Sequence, residues 1–308
     1  MEKRKLGNTD LFVSKVGLGC MSLGTDEKKA REIIAYALDS GINFFDTADL
    51  YDYGINEKIV GKALKDVRDR VIIATKVGNR WNKNKDGWFW GPSKTYIKEA
   101  VKNSLQRLGI DYIDLYQLHG GTLEDPMDEI IQAFEELKEE GMIRHYGISS
   151  IRPNVIQQYA EKSKIVSVMM QYNMFDRRPE EQAIPLLVEK GISLLARGPL
   201  AKGLLTDRFF EKVSEGIKKN GYINYRYEEL EAIYHRLKET FGPNRSMTEV
   251  SLQFVLANPA IASVVVGASS VEQLIENVKA SKTKPLTDKE LEQILSVTKK
   301  NTYEKHRI

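Results

Sequence analysis

Cysteine is nearly missing from this chain: Cys20 is the only one in 308 residues. That excludes an intramolecular disulfide and fits a reducing compartment, so the cytoplasm is the expected location. No apolar run approaches the roughly 18 residues of a membrane span, and no membrane partner is expected. A large excess of one charge is also absent. The 46 basic and 43 acidic residues leave +3, which gives no electrostatic case for nucleic acid. The basic stretch Met1–Asn8 leads into no apolar segment and does not read as a signal peptide. No metal is expected. No linker, low-complexity tract or short repeat divides the chain, and Gly17-Leu18-Gly19-Cys20-Met21-Ser22-Leu23-Gly24 has the wrong spacing for a G-x-G-x-x-G dinucleotide turn.

What is present is an alternation of helical and strand patterns. Ala30, Ile33, Ile34, Ala37 and Leu38 form one apolar helical face that stops at Gly41, and a strand starts at Ile42. The same punctuation recurs at Gly109, Gly141 and Gly191. Strands are predicted at Ser14–Val16, Ile42–Phe45, Val71–Thr75, Ile113–Leu118, His145–Ile148, Val166–Met170, Ser193–Ala196 and Ser263–Val266. Eight strand–helix units are the number that closes a (β/α)8 TIM barrel. The expectation is therefore an α/β fold in one domain spanning residues 1–308, with a hairpin (Arg4–Leu6 and Leu11–Val13) closing the bottom. Within the charged segment Gly203–Arg245, Lys218-Lys219-Asn220-Gly221 is predicted as a loop and Glu228–Thr240 as a helix. Asp176-Arg177-Arg178-Pro179-Glu180 reads as a rim feature or as a helix start with proline in its first turn.

Reactive side chains stand where these strands end. Asp46 and Tyr51 follow Asn43-Phe44-Phe45, Lys76 follows Val71–Thr75, and His119 follows Leu118. In a parallel barrel these ends share one face, so four residues distant in sequence would meet in one pocket. A phenol titrates near pH 10, too high for easy proton transfer at neutrality, but a neighbouring ammonium favours the phenolate. Lys76 would supply that ammonium, Asp46 would hold it charged, and His119 would orient a carbonyl oxygen or help relay the proton. Singly, each of these residues is more often packing or a surface ion pair. Their common placement is what points to proton transfer.

Asp46-Thr47-Ala48-x-x-Tyr51, Ala74-Thr75-Lys76 and Leu118-His119 resemble the catalytic segments of the aldo-keto reductases. The resemblance runs through Val16–Gly19, Asn56-Glu57-x-x-x-Gly61, Arg144–Ser149, Pro199–Thr206 and Gly267–Leu274, and is nearest the bacterial branch that is similar to potassium-channel β subunits. It implies reduction of an aldehyde or ketone by NADPH, with NADH as the alternative, and with Tyr51 as the proton donor. It implies that Gly19, Cys20 and Met21 lie along the cofactor and that Ser149, Ser150 and Gln171 hold the nicotinamide carboxamide. The turn Arg197, Gly198, Pro199, Leu200, Lys202 and Gly203 would wrap the pyrophosphate. Gly267, Ser269, Gln273 and Asn277 would take the adenosine end, a helix N-terminus and loop amides being suited to phosphate.

Departures from the family pattern bear on these roles. Ser150 replaces a common asparagine. Arg197 replaces an aromatic that stacks on the nicotinamide; its guanidinium would either stack likewise or pair with an acid on the rim. Gly267 and Gln273 stand where some branches carry Lys and Arg against the 2′-phosphate of NADP. Cys20 reads as a small buried residue. All three tryptophans, Trp81, Trp88 and Trp90, fall in the segment after Lys76, as a loop that walls an apolar substrate site or packs on the barrel; Lys83 and Lys85 read as solvated. Two other functions compete: a Schiff-base lyase using Lys76, and a nucleotide-binding regulatory subunit with slow turnover. The expected partner is a small carbonyl compound; for oligomeric state a monomer is slightly favoured.

Overall fold

The computed structural model describes residues 1–308. Its strands are β1 (Lys3–Lys5), β2 (Phe12–Ser14), β3 (Val16–Gly19), β4 (Phe44–Asp46), β5 (Ile72–Val77) and β6 (Asn79–Trp81). They continue as β7 (Trp88–Trp90), β8 (Ile113–Leu118), β9 (Ile143–Ser149), β10 (Ser167–Gln171), β11 (Ser193–Arg197) and β12 (Ile261–Gly267). The helices are α1 (Glu27–Asp39), α2 (Ile55–Leu64), α3 (Lys94–Leu108), α4 (Met127–Glu139), α5 (Pro153–Lys162) and α6 (Ala183–Lys190). Then come α7 (Phe209–Lys212), α8 (Glu215–Asn220), α9 (Tyr227–Phe241), α10 (Met247–Leu256), α11 (Val271–Ser281) and α12 (Asp288–Val297).

The order β3-β4-β5-β8-β9-β10-β11-β12 closes on itself as an eight-stranded parallel barrel. Its local logic is the one the sequence carries. Asp26 caps α1 by accepting from Lys29 N, the helix buries Ala30, Ile33, Ile34 and Ala37, and Gly41 at φ 86° turns the chain into the barrel wall. The interior is packed. Phe44, Ile72, Ala74, Leu115, Met169, Leu195 and Val265 meet there with Leu6, Leu11 and Val13 from the β1–β2 hairpin, which plugs the end where the strands begin. A larger apolar layer of 73 buried residues joins the barrel's outer face to the helices. One contact in that layer admits no side chain: a Cβ on Gly61 of α2 would lie 2.0 Å from the Leu108 carbonyl oxygen at the end of α3.

Several boundaries move from their expected places. The first barrel strand is Val16–Gly19 rather than Ser14–Val16, because Ser14 is spent on the hairpin, opposite Lys3. The strands β4 and β5 run past their apolar residues to include Asp46 and Lys76, whose side chains satisfy each other instead of needing water. Lys218–Asn220 is the last turn of α8 rather than loop, since Ser214 caps that helix and Ile217 anchors it in the core. The tryptophan segment is a hairpin, with β6 and β7 paired antiparallel. Proline at 179 does sit in a helical turn, a single 3-10 turn over Arg178–Glu180 on the rim.

Candidate active site

The carboxyl ends of the eight strands open into one cleft of 1180 Å³. At its floor, Lys76 Nζ donates to Asp46 Oδ2 at 2.6 Å and to the Thr47 carbonyl oxygen at 2.8 Å, and lies 3.3 Å from Tyr51 Oη. Lys76 is 1% exposed. Burial alone would push its ammonium towards neutrality, but the charges of Asp46 and Tyr51 outweigh burial and lift it above the ordinary lysine value. The Tyr51 ring meets the His119 ring edge-on, with centroids 5.9 Å apart. Burial, with the nearby charges of Lys76 and Arg197, drives the His119 imidazole down to about 3, so it is neutral at physiological pH. Its Nδ1 is buried without a partner. An unpaired N–H would be the costlier orphan, which places the proton on Nε2.

These four residues stay in register because a second set of buried polar groups ties their strands together. Gln117 of β8 donates to Asp46 Oδ1 at 3.1 Å. Thr47 Oγ1 donates to Asn56 Oδ1 at 2.7 Å, and Asn56 Nδ2 donates to the Cys20 carbonyl at 2.8 Å. Thr75, next to Lys76, donates to Glu57 Oε1 at 2.6 Å, while Arg107 Nε holds Glu57 Oε2 at 2.6 Å. Beyond Tyr51 the backbone turns through Asp52, Tyr53 and Gly54 at φ 49°, 54° and 84°. Two non-glycine residues in the left-handed region mark a segment held under strain beside the reactive phenol. Gly54 has no room for a side chain, since its Cβ would lie 2.7 Å from Arg107 Cδ. Asp49 lies in the same loop, buried, with Oδ1 unpartnered and Oδ2 accepting from Tyr96 Oη at 3.3 Å. Burial, assisted by the Glu57 charge and opposed by Arg107, lifts its carboxyl to about 8.

Further along the cleft, Gln171 is fixed from three sides. Its Nε2 donates to Asp176 at 2.8 Å and to Tyr222 Oη at 3.1 Å, and its Oε1 accepts from Arg197 Nη1 at 3.2 Å. Asp176 is in turn clamped by Arg178 at 2.7 Å. Arg197 makes no ion pair, so the acid-paired alternative is not what the structure contains. Ser149, Gly198, Pro199, Leu200, Lys202 and Gly203 line the cleft, and Gly198, Ala201, Lys202 and Gly203 all have positive φ. At the far end Gln273 Oε1 accepts from Ser269 N at 2.9 Å, and Asn277 Nδ2 reaches the Gly267 carbonyl at 3.5 Å. Ser150 lines the cleft too, but its Oγ accepts from Arg152 N at 3.2 Å.

Gly19 and Met21 line the cleft, whereas Cys20 between them is wholly buried and faces away, its thiol pushed far above the usual range by burial. Trp88 and Trp90 form one wall, and Trp81 does not take part. It stands outside, against Tyr53, 6.3 Å between centroids, and the Arg107 guanidinium. The Trp90 ring covers Gly78 and Gly120, and its Nε1 donates to Asp125 at 2.8 Å. The sequence pointed to Asp176 and Arg178 only as part of a rim feature or helix start, and not at all to Gln117, Tyr222 or Arg107. Of these only Gln117, a polar residue inside the apolar run Ile113–Leu118, carried a signal.

The model of the aldo/keto reductase family matches residues 15–299. The uncharacterized oxidoreductase YqkF of Bacillus subtilis is 59% identical over 307 residues, covering 100% of both chains. The NADH-specific methylglyoxal reductase of Escherichia coli is 32% identical over 91% of this chain and 93% of its own. Among solved structures, aldo-keto reductase AKR11C1 from Bacillus halodurans covers 100% of both chains; its holo form superposes with a TM-score of 0.94 at 56% identity. The apo form of AKR11C1 gives 0.86. With a closed eight-stranded barrel and a cleft lined by Asp46, Tyr51, Lys76 and His119 at its carboxyl end, this chain belongs to the aldo/keto reductase family and is an oxidoreductase.

Proposed function

We propose that the protein reduces aldehydes or ketones to alcohols with NADPH, and that Tyr51 delivers the proton. The observation that carries this reading is the contact of Lys76 Nζ with both Asp46 Oδ2 and Tyr51 Oη on the cleft floor. The ammonium held there favours negative charge on Tyr51 Oη as its proton passes to the carbonyl oxygen, and Asp46 keeps that buried ammonium charged. His119, neutral with its proton on Nε2, donates to the same carbonyl oxygen and orients it.

The cleft fits a dinucleotide. Gln171 and Ser149 offer amide and hydroxyl partners for a carboxamide, and the left-handed turn Gly198–Gly203 exposes backbone N–H groups for a pyrophosphate. Ser269, Gln273 and Asn277 would hold the adenosine end, with Gly19 and Met21 beside it. Arg197 is free of acidic partners and able to stack on the nicotinamide. When bound, the reduced nicotinamide supplies the hydride that adds to the carbonyl carbon. At the far end Arg208, held there by Glu276 between Gln273 and Asn277, is a cation able to reach a 2′-phosphate, which supports NADPH over NADH.

The Schiff-base alternative requires a neutral amine at Lys76, whereas this amine is held as an ammonium by three oxygen partners. The test is titration with NADPH and NADH by fluorescence, followed by nicotinamide absorbance with a panel of aromatic and dicarbonyl aldehydes. Tight binding with carbonyl-dependent oxidation supports the reductase. Tight binding without turnover would favour a regulatory subunit, and trapping of substrate by borohydride would favour the lyase.

A further inference from the structure

The cleft is lined by six cations, Lys76, Arg152, Arg197, Lys202, Arg208 and Lys212, against two acids, Asp46 and Glu276. Five of the six are accounted for. Lys76 is paired with Asp46, Arg208 with Glu276, and Arg197 is bonded to Gln171, while Lys202 and Lys212 flank the turn proposed for the cofactor phosphates. Arg152 stands apart, in the segment that follows β9. Of its five N–H donors one is used, Nη1 donating to the Gly121 carbonyl at 2.9 Å, and no acid lies within ion-pair distance. Glu124 on the same rim feels its charge without pairing with it. The anchor places the guanidinium at the wall the tryptophans build, since Gly121 follows Gly120, over which the Trp90 ring lies. A half-buried guanidinium with free donors in a cleft gains most from a planar monoanion.

We propose that Arg152 is a specificity residue and that the substrates include aldehydes or ketones carrying a carboxylate, which the free edge of its guanidinium binds. This rests on the carbonyl-reductase reading. Reduction itself is unaltered: hydride to the carbonyl carbon, proton from Tyr51 to the oxygen, with the carboxylate a spectator that fixes orientation.

The test is kcat/KM for the wild type, Arg152→Gln and Arg152→Lys with two matched pairs: succinic semialdehyde and its methyl ester, and para-carboxybenzaldehyde and its methyl ester. Nucleotide affinity is followed by fluorescence as a control on folding. Arg152→Gln is expected to lower kcat/KM for the acids about tenfold or more, through KM, and to leave the esters within about twofold. Arg152→Lys should keep most of the preference for the acids. Equal losses on acid and ester, or no loss on either, would overturn the assignment while leaving the reductase intact. A wild type that reduces neither member of either pair while turning over the aromatic or dicarbonyl panel would also overturn the assignment, whereas one inactive on that panel as well would remove the reductase reading itself.

Discussion

Lys76 is the residue on which the others depend. It is buried and charged, and its only acidic partner is Asp46. Removing one member of a buried ion pair strands the other, at a cost of about 3–5 kcal/mol. Lys76→Met is therefore expected to lose that much stability in denaturant titration and to abolish turnover. The double variant Asp46→Asn/Lys76→Met should recover much of the stability and none of the activity. Recovery of both would mean that the ammonium has no chemical role. The meeting of Asp46, Tyr51, Lys76 and His119 was readable from the chain because each stands at or just after the end of an apolar run, where such residue types are chemically unusual. Gln117, Asp176 and Arg107 were not, apart from the polar break Gln117 makes in its strand. Their roles depend on which strands and loops become neighbours, and pairings such as Asp176 with Arg178 look locally like any charged turn.

At the scale of elements, the β6–β7 hairpin carries the two tryptophans that wall the cleft. Trp88 is 62% exposed and lines the cleft, whereas Trp90 is packed over Gly78 and Gly120 and anchored to Asp125. The two tryptophans therefore separate. Trp88→Ala is expected to raise KM for apolar aldehydes several-fold with thermal stability unchanged. Trp90→Ala is expected to raise KM and to cost about 3 kcal/mol as well. Equal effects on stability would contradict the assigned packing. The sequence placed all three tryptophans beside the pocket, and Trp81 escapes because Tyr53 and Arg107, distant in sequence from it, take up its ring instead. The boundary between β2 and β3 was not legible because only Lys15 separates the two strands where the chain changes sheets.

For the molecule as a whole, burial of titratable groups near the site makes stability depend on pH. The Asp49 carboxyl is lifted to about 8 by burial, against an ordinary value near 3.8. Between those values the unfolded chain releases this proton and the folded one keeps it. The contribution of Asp49 is thus complete below the lower value and lost as pH rises through about 8. Asp49→Asn should consequently be more stable than the wild type at pH ~9, on the order of 2 kcal/mol, and close to it at pH ~4. The same advantage at both pH values would show that the carboxyl ionises normally. The barrel itself was legible from eight strand runs, four of them following a helix that ends at glycine, and the plug from a short hairpin, because both follow from local periodicity. The strained turn after Tyr51 was not legible, since its left-handed residues include Asp52 and Tyr53, which carry no signature of that conformation.

The most direct test of the account compares wild type and Tyr51→Phe in two readings, nucleotide fluorescence and carbonyl-dependent loss of nicotinamide absorbance. The account predicts that both proteins bind NADPH with similar affinity and that turnover falls by about 10²-fold or more in the variant, the scale of a lost general acid. Comparable turnover in Tyr51→Phe would remove Tyr51 as the proton donor, and a wild type that binds no nucleotide would contradict the account at its base.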